Sequence, residues 1–230
     1  MKFSYLILST LFVLVSQTVH AKPTFEQYLA DLKLQVIDQG YTAHFVNQVF
    51  TDVTYHKKTV IADKNQPETK LTLDKYLATR VPDWKVKKAI DLMTQHHVLL
   101  DQVEQQFGVQ KRFIVALWGN ESNFGSLMGQ HPVINSLVTL AYEGRREALF
   151  KKQLFAAIKI LQQGHIELDQ FVGSWAGAMG QSQFMPTSFL DYGMDFDNDG
   201  RKDIWNNKAD VFASIANFLR AEGWSDQLTW

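Results

Sequence analysis

Apolar residues recur at the spacing of an α-helix along most of the chain, and no series of alternating strand patterns is seen. The first such stripe begins after Thr24, which forms a capping box with Gln27, and it ends at Gly40. Further stripes at helical spacing cover residues 45–50, 83–107, 113–122, 132–143, 146–163 and 208–222, and several of them end at a glycine. The pattern therefore predicts an all-α protein.

Two stretches have no clear helical period. Residues 52–77 mix apolar side chains with turn-forming ones, which predicts a loop with a little strand. The segment from Gly173 to Phe189 alternates glycine and other small residues with bulky apolar side chains. Small residues allow close backbone approach, so this segment either receives a ligand or packs tightly against another helix.

The stretch from Phe113 to Gly125 carries an acid where the helical period predicts an apolar side chain. Glu121 lies four residues after Leu117 and three after Trp118, on the stripe expected to face the core. Burial raises the pKa of a carboxyl group, so a buried Glu121 would hold a proton and act as a general acid. The alternative is that Glu121 lies at the end of its helix and reaches water.

The first 21 residues have the order of a secretory signal peptide. Lys2 precedes an apolar run from Tyr5 to Val15, and residues 19–21 (VHA) match a small-residue cleavage site. The run is too short to span a bilayer comfortably, and the chain contains no cysteine. We therefore expect export to a bacterial periplasm without a membrane span. The expected division is a signal peptide at 1–21, an α-helical N-terminal subdomain at 22–80 and a core at 81–230.

Charge is balanced along the chain, with 23 Lys and Arg against 24 Asp and Glu. The basic residues are scattered, which argues against a nucleic-acid surface. Acidic residues concentrate in one loop that follows the spacing of the EF-hand, with Gly200 at the sixth position and Asn206 in place of the usual glutamate at the twelfth. The candidate ligands of this loop are Asp195, Asp197, Asp199 and Arg201, with Asp210 as the closing residue. The loop predicts a structural calcium site, and the alternative is a turn rich in aspartate.

Four motifs together resemble the lytic transglycosylases of the membrane-bound murein transglycosylase B type, glycoside hydrolase family 103. The motifs are 116–125 (ALWGNESNFG), 137–142 followed by Arg145 and Arg146, 173–186 (GSWAGAMGQSQFMP), and the acidic loop with Ile204 and Trp205. The resemblance covers about residues 81–224. It implies a lysozyme-like α-helical fold, cleavage of peptidoglycan between N-acetylmuramic acid and N-acetylglucosamine, and a calcium-binding EF-hand-like loop.

The resemblance also implies roles for particular residues. Glu121 matches the catalytic acid, which protonates the glycosidic oxygen and then deprotonates the C6 hydroxyl of the muramic residue. That hydroxyl attacks C1 and closes a 1,6-anhydro ring. The expected substrate contacts are Ser174 and Gln183 for hydroxyl and acetamido groups, Phe184 for the apolar face of a sugar ring, and Arg145 and Arg146 for lactyl or peptide carboxylates. For the two arginines, surface ion pairs are the alternative.

Two departures from the family pattern bear on activity. Family members usually continue well past the position of Trp224 with a segment that closes one wall of the cleft, so we expect either a truncated sequence or a more open site. Phe218 stands where a tyrosine is often found. The competing functions are a muramidase, in which water attacks, and a non-catalytic protein that binds peptidoglycan.

Overall fold

Eleven α-helices account for most of the residues that the structure, a computed structural model, describes, which are 22–65 and 72–227. The helices are α1 Phe25–Asp38, α2 Ala43–Val49, α3 Lys57–Lys64, α4 Leu73–Arg80, α5 Asp83–Gln95, α6 His97–Phe107, α7 Lys111–Ser122, α8 Val133–Glu143, α9 Glu147–Gln162, α10 Pro186–Tyr192 and α11 Lys208–Ala221. Strands β1 His131–Pro132 and β2 Val172–Gly173 pair antiparallel, and Leu168–Gln170 forms a 3₁₀ helix. The predicted all-α class is confirmed.

Not one of the helices in these ranges has the length and apolar character needed to cross a membrane. The predicted signal peptide, residues 1–21, lies outside the described residues.

Local signals in the sequence fix several helix ends. At the start of α1, the Thr24 hydroxyl accepts a hydrogen bond from the Gln27 N–H at 3.2 Å, and the Gln27 side chain accepts one from the Thr24 N–H at 2.9 Å. Gly108 and Gly144 end α6 and α8 in the left-handed conformation, with φ of 72° and 89°. These ends depend on neighbouring residues alone, so the sequence predicts them.

The prediction of a loop over residues 52–77 is wrong, because all of α3 and the first five residues of α4 fall within it. Helix α3 buries Val60 and is held at its start by the His56 N–H, which donates to the Thr139 hydroxyl on α8 at 3.2 Å. Helix α4 buries no residue at all. Leu73, Tyr76 and Leu77 stand at helical spacing, but they cover little more than one turn, which is too short a stretch to distinguish a helix from a loop by its period.

The single long helix predicted over residues 83–107 is two helices that meet at His96. The His96 ring packs edge-on against Trp118 and Phe212, at centroid distances of 6.1 Å and 5.7 Å. Asp83 is the first residue of α5 rather than its cap, and Pro82 precedes it. The break at His96 coincides with these contacts to distant parts of the chain.

Helix α8 forms the centre of the fold, since all residues from Val133 to Ala141 are buried. It packs against α9, α3, α1 and β1. The buried side chains of α1 and α2, Leu32, Val36, Val46 and Val49, belong to the same apolar cluster as those of α8. The division of the chain at residue 80 stays a prediction.

An ion pair ties α3 to the turn between α8 and α9. The Asp63 carboxylate, whose side chain is 7% exposed, accepts hydrogen bonds from Arg145 at 2.8 Å and from Arg146 at 2.5 Å. Burial acts to raise the pKa of Asp63, but the hydrogen bonds and charges of the two arginines outweigh it and hold the pKa below its usual value. The folded state therefore favours the charged carboxylate.

We expect Asp63→Asn to lower the free energy of unfolding by about 1–3 kcal/mol at pH 7, because a buried charge-assisted contact is lost. The contribution is complete above the unfolded-state pKa of about 3.9 and is lost as the pH falls through the lower folded-state value. Urea denaturation of wild type and variant at neutral and acidic pH measures the difference.

The control is Asp101→Asn, which removes an exposed pair with Lys111 and should cost less than about 1 kcal/mol. Equal losses for the two variants, or a loss for Asp63→Asn that does not diminish as the pH is lowered, would contradict the assignment.

Candidate functional site

Glu121 is the next-to-last residue of α7, and its side chain is exposed. The predicted burial is wrong because the core face of α7 is the series Ile114, Trp118 and Ser122, all of which are buried. Glu121 instead continues an edge row through Leu117, which is only half-buried. The alternative, an acid at a helix end that reaches water, describes its position. Its carboxylate accepts a hydrogen bond from the Asn120 amide at 3.3 Å.

The chain turns sharply just after Glu121. Asn123, Phe124 and Gly125 all have positive φ, at 49°, 60° and 80°. Positive φ is unfavourable for a bulky residue such as Phe124 and persists only where surrounding contacts fix it. One such contact is the packing of the Phe124 ring over Gly119, where a β-carbon would lie 2.6 Å from the ring.

Ser122 holds this turn in place. Its hydroxyl donates to the Gln181 carbonyl at 2.7 Å and accepts from the Gly125 N–H at 3.0 Å. The serine is fully buried, so its hydroxyl serves the backbone rather than a substrate.

Gln181 is the residue that sequence reasoning missed. Its side chain is buried, accepts a hydrogen bond from the Trp118 indole N–H at 2.8 Å and donates one to the Trp205 carbonyl at 2.6 Å. It thereby joins α7 to the loop that follows the acidic residues. The sequence does contain one indication of such a residue. Trp118 is predicted to be buried, and a buried indole N–H needs a hydrogen-bond acceptor.

Ser174 and Gln183 lie on the small-residue segment with their side chains half-buried. The Ser174 hydroxyl accepts from the Ala178 N–H at 3.0 Å. The Gln183 amide donates to the carbonyls of Met128 and Gly180, at 3.1 Å and 2.9 Å. The bond to Met128 connects Gln183 with the loop that follows Glu121, so the structure brings this loop and the segment together.

Glycines of the segment approach other parts of the same chain. A β-carbon on Gly129 would lie 2.1 Å from the Gly173 carbonyl oxygen, and one on Gly177 would lie 2.7 Å from Leu137. A β-carbon on Gly180 would lie 2.7 Å from Ile204. The small residues therefore serve close packing, which is the second of the two expected explanations.

Phe184 does not present a ring to solvent. It is 6% exposed and packs against Phe218 and Tyr192, at centroid distances of 5.7 Å and 6.4 Å. The expectation that Phe184 offers an apolar face to a sugar is not met, because these rings enclose it. Phe218, the departure from the usual tyrosine, belongs to the same aromatic cluster.

Arg145 and Arg146 bind Asp63 of α3, as described above. The alternative of ion pairs therefore accounts for their contacts in this structure, although Asp63 itself is buried. The side chain of Arg145 remains 57% exposed and that of Arg146 37% exposed. The hydrogen bonds of the pair lead to α3 rather than to Ser174 or Gln183.

Three of the predicted metal ligands come together. Asp195, Asp197 and Asp210 each place a carboxylate oxygen within 4.8 Å of the other two. Asp199 is not part of this cluster, and its carboxylate accepts from the Arg201 N–H at 2.8 Å. The closing role of Asp210 is compatible with its position, since it is fully buried and its two oxygens accept from the N–H groups of Phe196 and Asp203.

Burial raises the pKa of Asp210 to about 6, against the lowering effect of the two N–H donors, and the charges of Asp197 and Asp195 raise it further. Such crowding of negative charge is relieved by a cation. The oxygen-only donors of this cluster suit calcium or magnesium, and Gly200 at φ 92° makes the sharp turn that the sixth position of such a loop requires. The residues fit a hard divalent cation.

A cavity of about 660 Å³ lies between the end of α2, the start of α8 and the 3₁₀ helix. It is lined by Val49, Val53, Ile134, Phe171 and acidic residues on its rim, and it contains none of the predicted site residues. Glu121 is exposed and is not one of its lining residues.

Comparisons with known proteins place these features in a family. The model of the family described as "Transglycosylase SLT domain" matches residues 24–230. Membrane-bound lytic murein transglycosylase B of Escherichia coli (strain K12) is 33% identical over 144 residues, which cover 62% of this chain and 39% of that protein.

Solved structures agree with the sequence match. SltB3 from Pseudomonas aeruginosa, in complexes with NAG-NAM-pentapeptide and with NAG-anhNAM-pentapeptide, is 42% identical with a TM-score of 0.86 over 90% of this chain and 55% of that chain. Escherichia coli Slt35 in complex with calcium is 25% identical with a TM-score of 0.78 over 90% of this chain and 65% of that chain.

The predicted lysozyme-like transglycosylase fold is confirmed by these structural matches. The chain spans 39% of the length of the E. coli relative and 55% of the length of SltB3. The resemblance stated from the four motifs is confirmed, and the chain belongs to the transglycosylase SLT domain family.

Proposed function

We propose that the chain is a periplasmic lytic transglycosylase that cleaves the β-1,4 bond between N-acetylmuramic acid and N-acetylglucosamine and leaves a 1,6-anhydro end. The observation that carries the proposal is the position of Glu121, an accessible carboxyl at the end of α7. Hydrogen bonds of Ser122 and Gln181 fix this end of the helix. The likeness to SltB3, which was solved with NAG-NAM and NAG-anhNAM pentapeptides, supports the substrate class. The predicted signal peptide supports the location.

Glu121 serves as both acid and base in this proposal. A glycan strand that lies over the exposed carboxyl excludes water from the reacting bond. The acid gives its proton to the glycosidic oxygen as the bond to C1 breaks. The resulting carboxylate takes the proton of the C6 hydroxyl, whose oxygen then bonds to C1.

One carboxyl suffices for this chemistry because the nucleophile belongs to the substrate. Ordinary glycosidases need two flanking carboxyl groups. The hydrogen-bond partner of Glu121 in the described structure is the Asn120 amide, not a second carboxylate.

Ser174 and Gln183 are the proposed substrate contacts. The Ser174 hydroxyl accepts one bond from the Ala178 N–H, which leaves its own proton for a sugar oxygen. Both amide protons of Gln183 bind backbone carbonyls, so its side-chain oxygen remains to accept from a hydroxyl or an acetamido N–H. Arg145 keeps donors beyond those used by Asp63, and a peptide carboxylate is its proposed partner.

The proposed cofactor is a structural calcium ion held by Asp195, Asp197 and Asp210, with Asp199 and the Arg201 carbonyl completing the shell. The acidic cluster and the calcium complex of Slt35 support this assignment. The ion would join the start of α11 to the loop that carries Trp205, whose carbonyl binds Gln181. Calcium would thereby help to hold the helix end that carries Glu121 and would take no part in the reaction.

We expect Glu121→Gln to lower the release of anhydromuropeptides from purified murein sacculi by about 10²- to 10⁴-fold, the usual contribution of general acid–base catalysis. Mass spectrometry of the products is the measurement, since an anhydro product is lighter than a reducing one by one water. The control is Glu26→Gln on α1, an exposed acid in the first helical turn, which should retain activity.

Products with reducing ends would identify a muramidase instead. Equal background release by wild type and Glu121→Gln would identify a non-catalytic protein that binds peptidoglycan.

We expect calcium to raise the midpoint of thermal unfolding, because a ligand that binds only the folded state stabilises it by mass action. At a calcium concentration 100 times the dissociation constant, the gain is about 2.7 kcal/mol. The double substitution Asp195→Asn with Asp197→Asn should abolish the shift seen on adding calcium or a chelator.

The control is Asp169→Asn, because Asp169 is an exposed acid of the 3₁₀ helix and lies outside the acidic loop. A calcium response that survives the double substitution would refute the site.

A further inference from the structure

An exposed apolar surface lies at the corner between α4 and α5. Neither helix contains a buried residue. The exposed apolar side chains of this corner, with their exposed fractions, are Leu73 (70%), Tyr76 (42%), Leu77 (45%), Val81 (52%) and Trp84 (57%). Contiguous exposed apolar surface on a folded protein commonly marks a binding site.

The corner stands beside the loop that follows Glu121. The Lys88 ammonium lies 5.1 Å from the centre of the Phe124 ring. His96, at the other end of α5, contacts Trp118, so α5 runs antiparallel to α7. Trp84 is four residues before Lys88 on the same face, about 6 Å further along the axis. The ring of Trp84 therefore lies on the rim of the surface that carries Glu121.

Unpaired cations surround the aromatic residues of the corner. The Arg80 guanidinium lies 5.9 Å from the centre of the Tyr76 ring. Burial lowers the pKa of Lys85, and the charge of Arg80 lowers it further, which shows that these two cations lie close together. None of the salt bridges among the described residues includes Arg80, Lys85, Lys87 or Lys88. An anionic ligand would find donors here that no carboxylate among the described residues pairs with.

We propose that the α4–α5 corner binds the peptidoglycan strand beyond the bond that is cleaved at Glu121. Trp84 packs against the apolar face of a sugar ring, and Arg80 and Lys85 bind carboxylates of the stem peptides. This inference rests on the proposed substrate. It assigns the corner to a polymer because a strand seated at Glu121 continues across the neighbouring surface, and because that surface combines exposed aromatic rings with cations that lack partners.

The proposal is tested in the Glu121→Gln background, where binding is measured without turnover. Co-sedimentation with purified sacculi gives the affinity for long strands, and fluorescence titration with NAG-NAM-pentapeptide gives the affinity for a short fragment. We expect Trp84→Ala to weaken sacculus binding about tenfold relative to fragment binding, as for loss of a central aromatic contact. Trp84→Phe should restore most of the affinity.

The matched control is Leu34→Ala, which removes an apolar side chain with 60% exposure on α1 and should leave the ratio of the two affinities unchanged. The double substitution Arg80→Gln with Lys85→Gln should flatten the salt dependence of sacculus binding, since exposed ionic contacts are screened by salt. An unchanged midpoint of thermal unfolding excludes misfolding of the Trp84 variants.

Equal sacculus affinity for Trp84→Ala and its parent would overturn the proposal, as would equal losses for sacculi and fragment. A dimer of the wild-type chain that Trp84→Ala dissolves would also overturn it, since the corner would then contact a second copy. If sacculus binding falls as expected while wild type releases no anhydro product, the corner assignment stands and the catalytic proposal fails.

Discussion

The hydrogen bond between the Trp118 indole and the Gln181 side chain is the contact on which the arrangement of the site depends. Both groups are buried, and a buried donor without an acceptor costs about 1–3 kcal/mol. Gln181 satisfies the indole and also binds Trp205, while its backbone carbonyl accepts from Ser122. One amide residue thus sets the position of α7 relative to the small-residue segment and to the loop before α11. The end of α7, where Glu121 lies, is fixed by this network although Glu121 is not part of it.

The core face of α7 and its edge have different roles. Ile114, Trp118 and Ser122 use the core face of α7 to hold the helix, and the acid occupies the edge, where a polymer can reach it. The left-handed turn after Ser122 then takes the backbone away from Glu121. Gly119 allows that turn, because a β-carbon there would collide with the Phe124 ring. A catalytic group on a rigid helix end can be exposed without being mobile, which is what general acid catalysis requires of its geometry.

How much of the structure could be predicted follows from the range of the forces involved. The capping box at Thr24 and the stops at Gly108 and Gly144 are local, and the sequence predicts them. Helices α3 and α4 were missed because one depends on contacts with α8 and the apolar residues of the other cover little more than one turn. The stripe containing Glu121 was recognised, but a period of 3.6 residues does not separate the centre of a buried face from its edge at the last turn.

The same limit applies to the contacts of the expected substrate residues. Arg145 and Arg146 are adjacent cations in any sequence, and only the fold places a buried Asp63 against them from 82 and 83 residues away. Phe184 is apolar, and whether it meets a sugar or the rings of Tyr192 and Phe218 is decided by the packing of α10 and α11. Gln181 and Gln183 are two residues apart, and their functions differ because one side chain enters the core.

Glu121 is exposed, and in the proposed complex a glycan strand over it is held by many weak contacts spread along the strand. Interactions remote from the reacting bond can be used to orient and distort the sugar at that bond. An enclosed pocket would supply such energy from all sides of a small ligand. An exposed acid, with half-buried hydrogen-bonding groups at Ser174 and Gln183 and the exposed ring of Trp84 as the proposed further contacts, instead suits a substrate that extends in both directions. The proposed contacts along the site thus favour a polymer over its fragments.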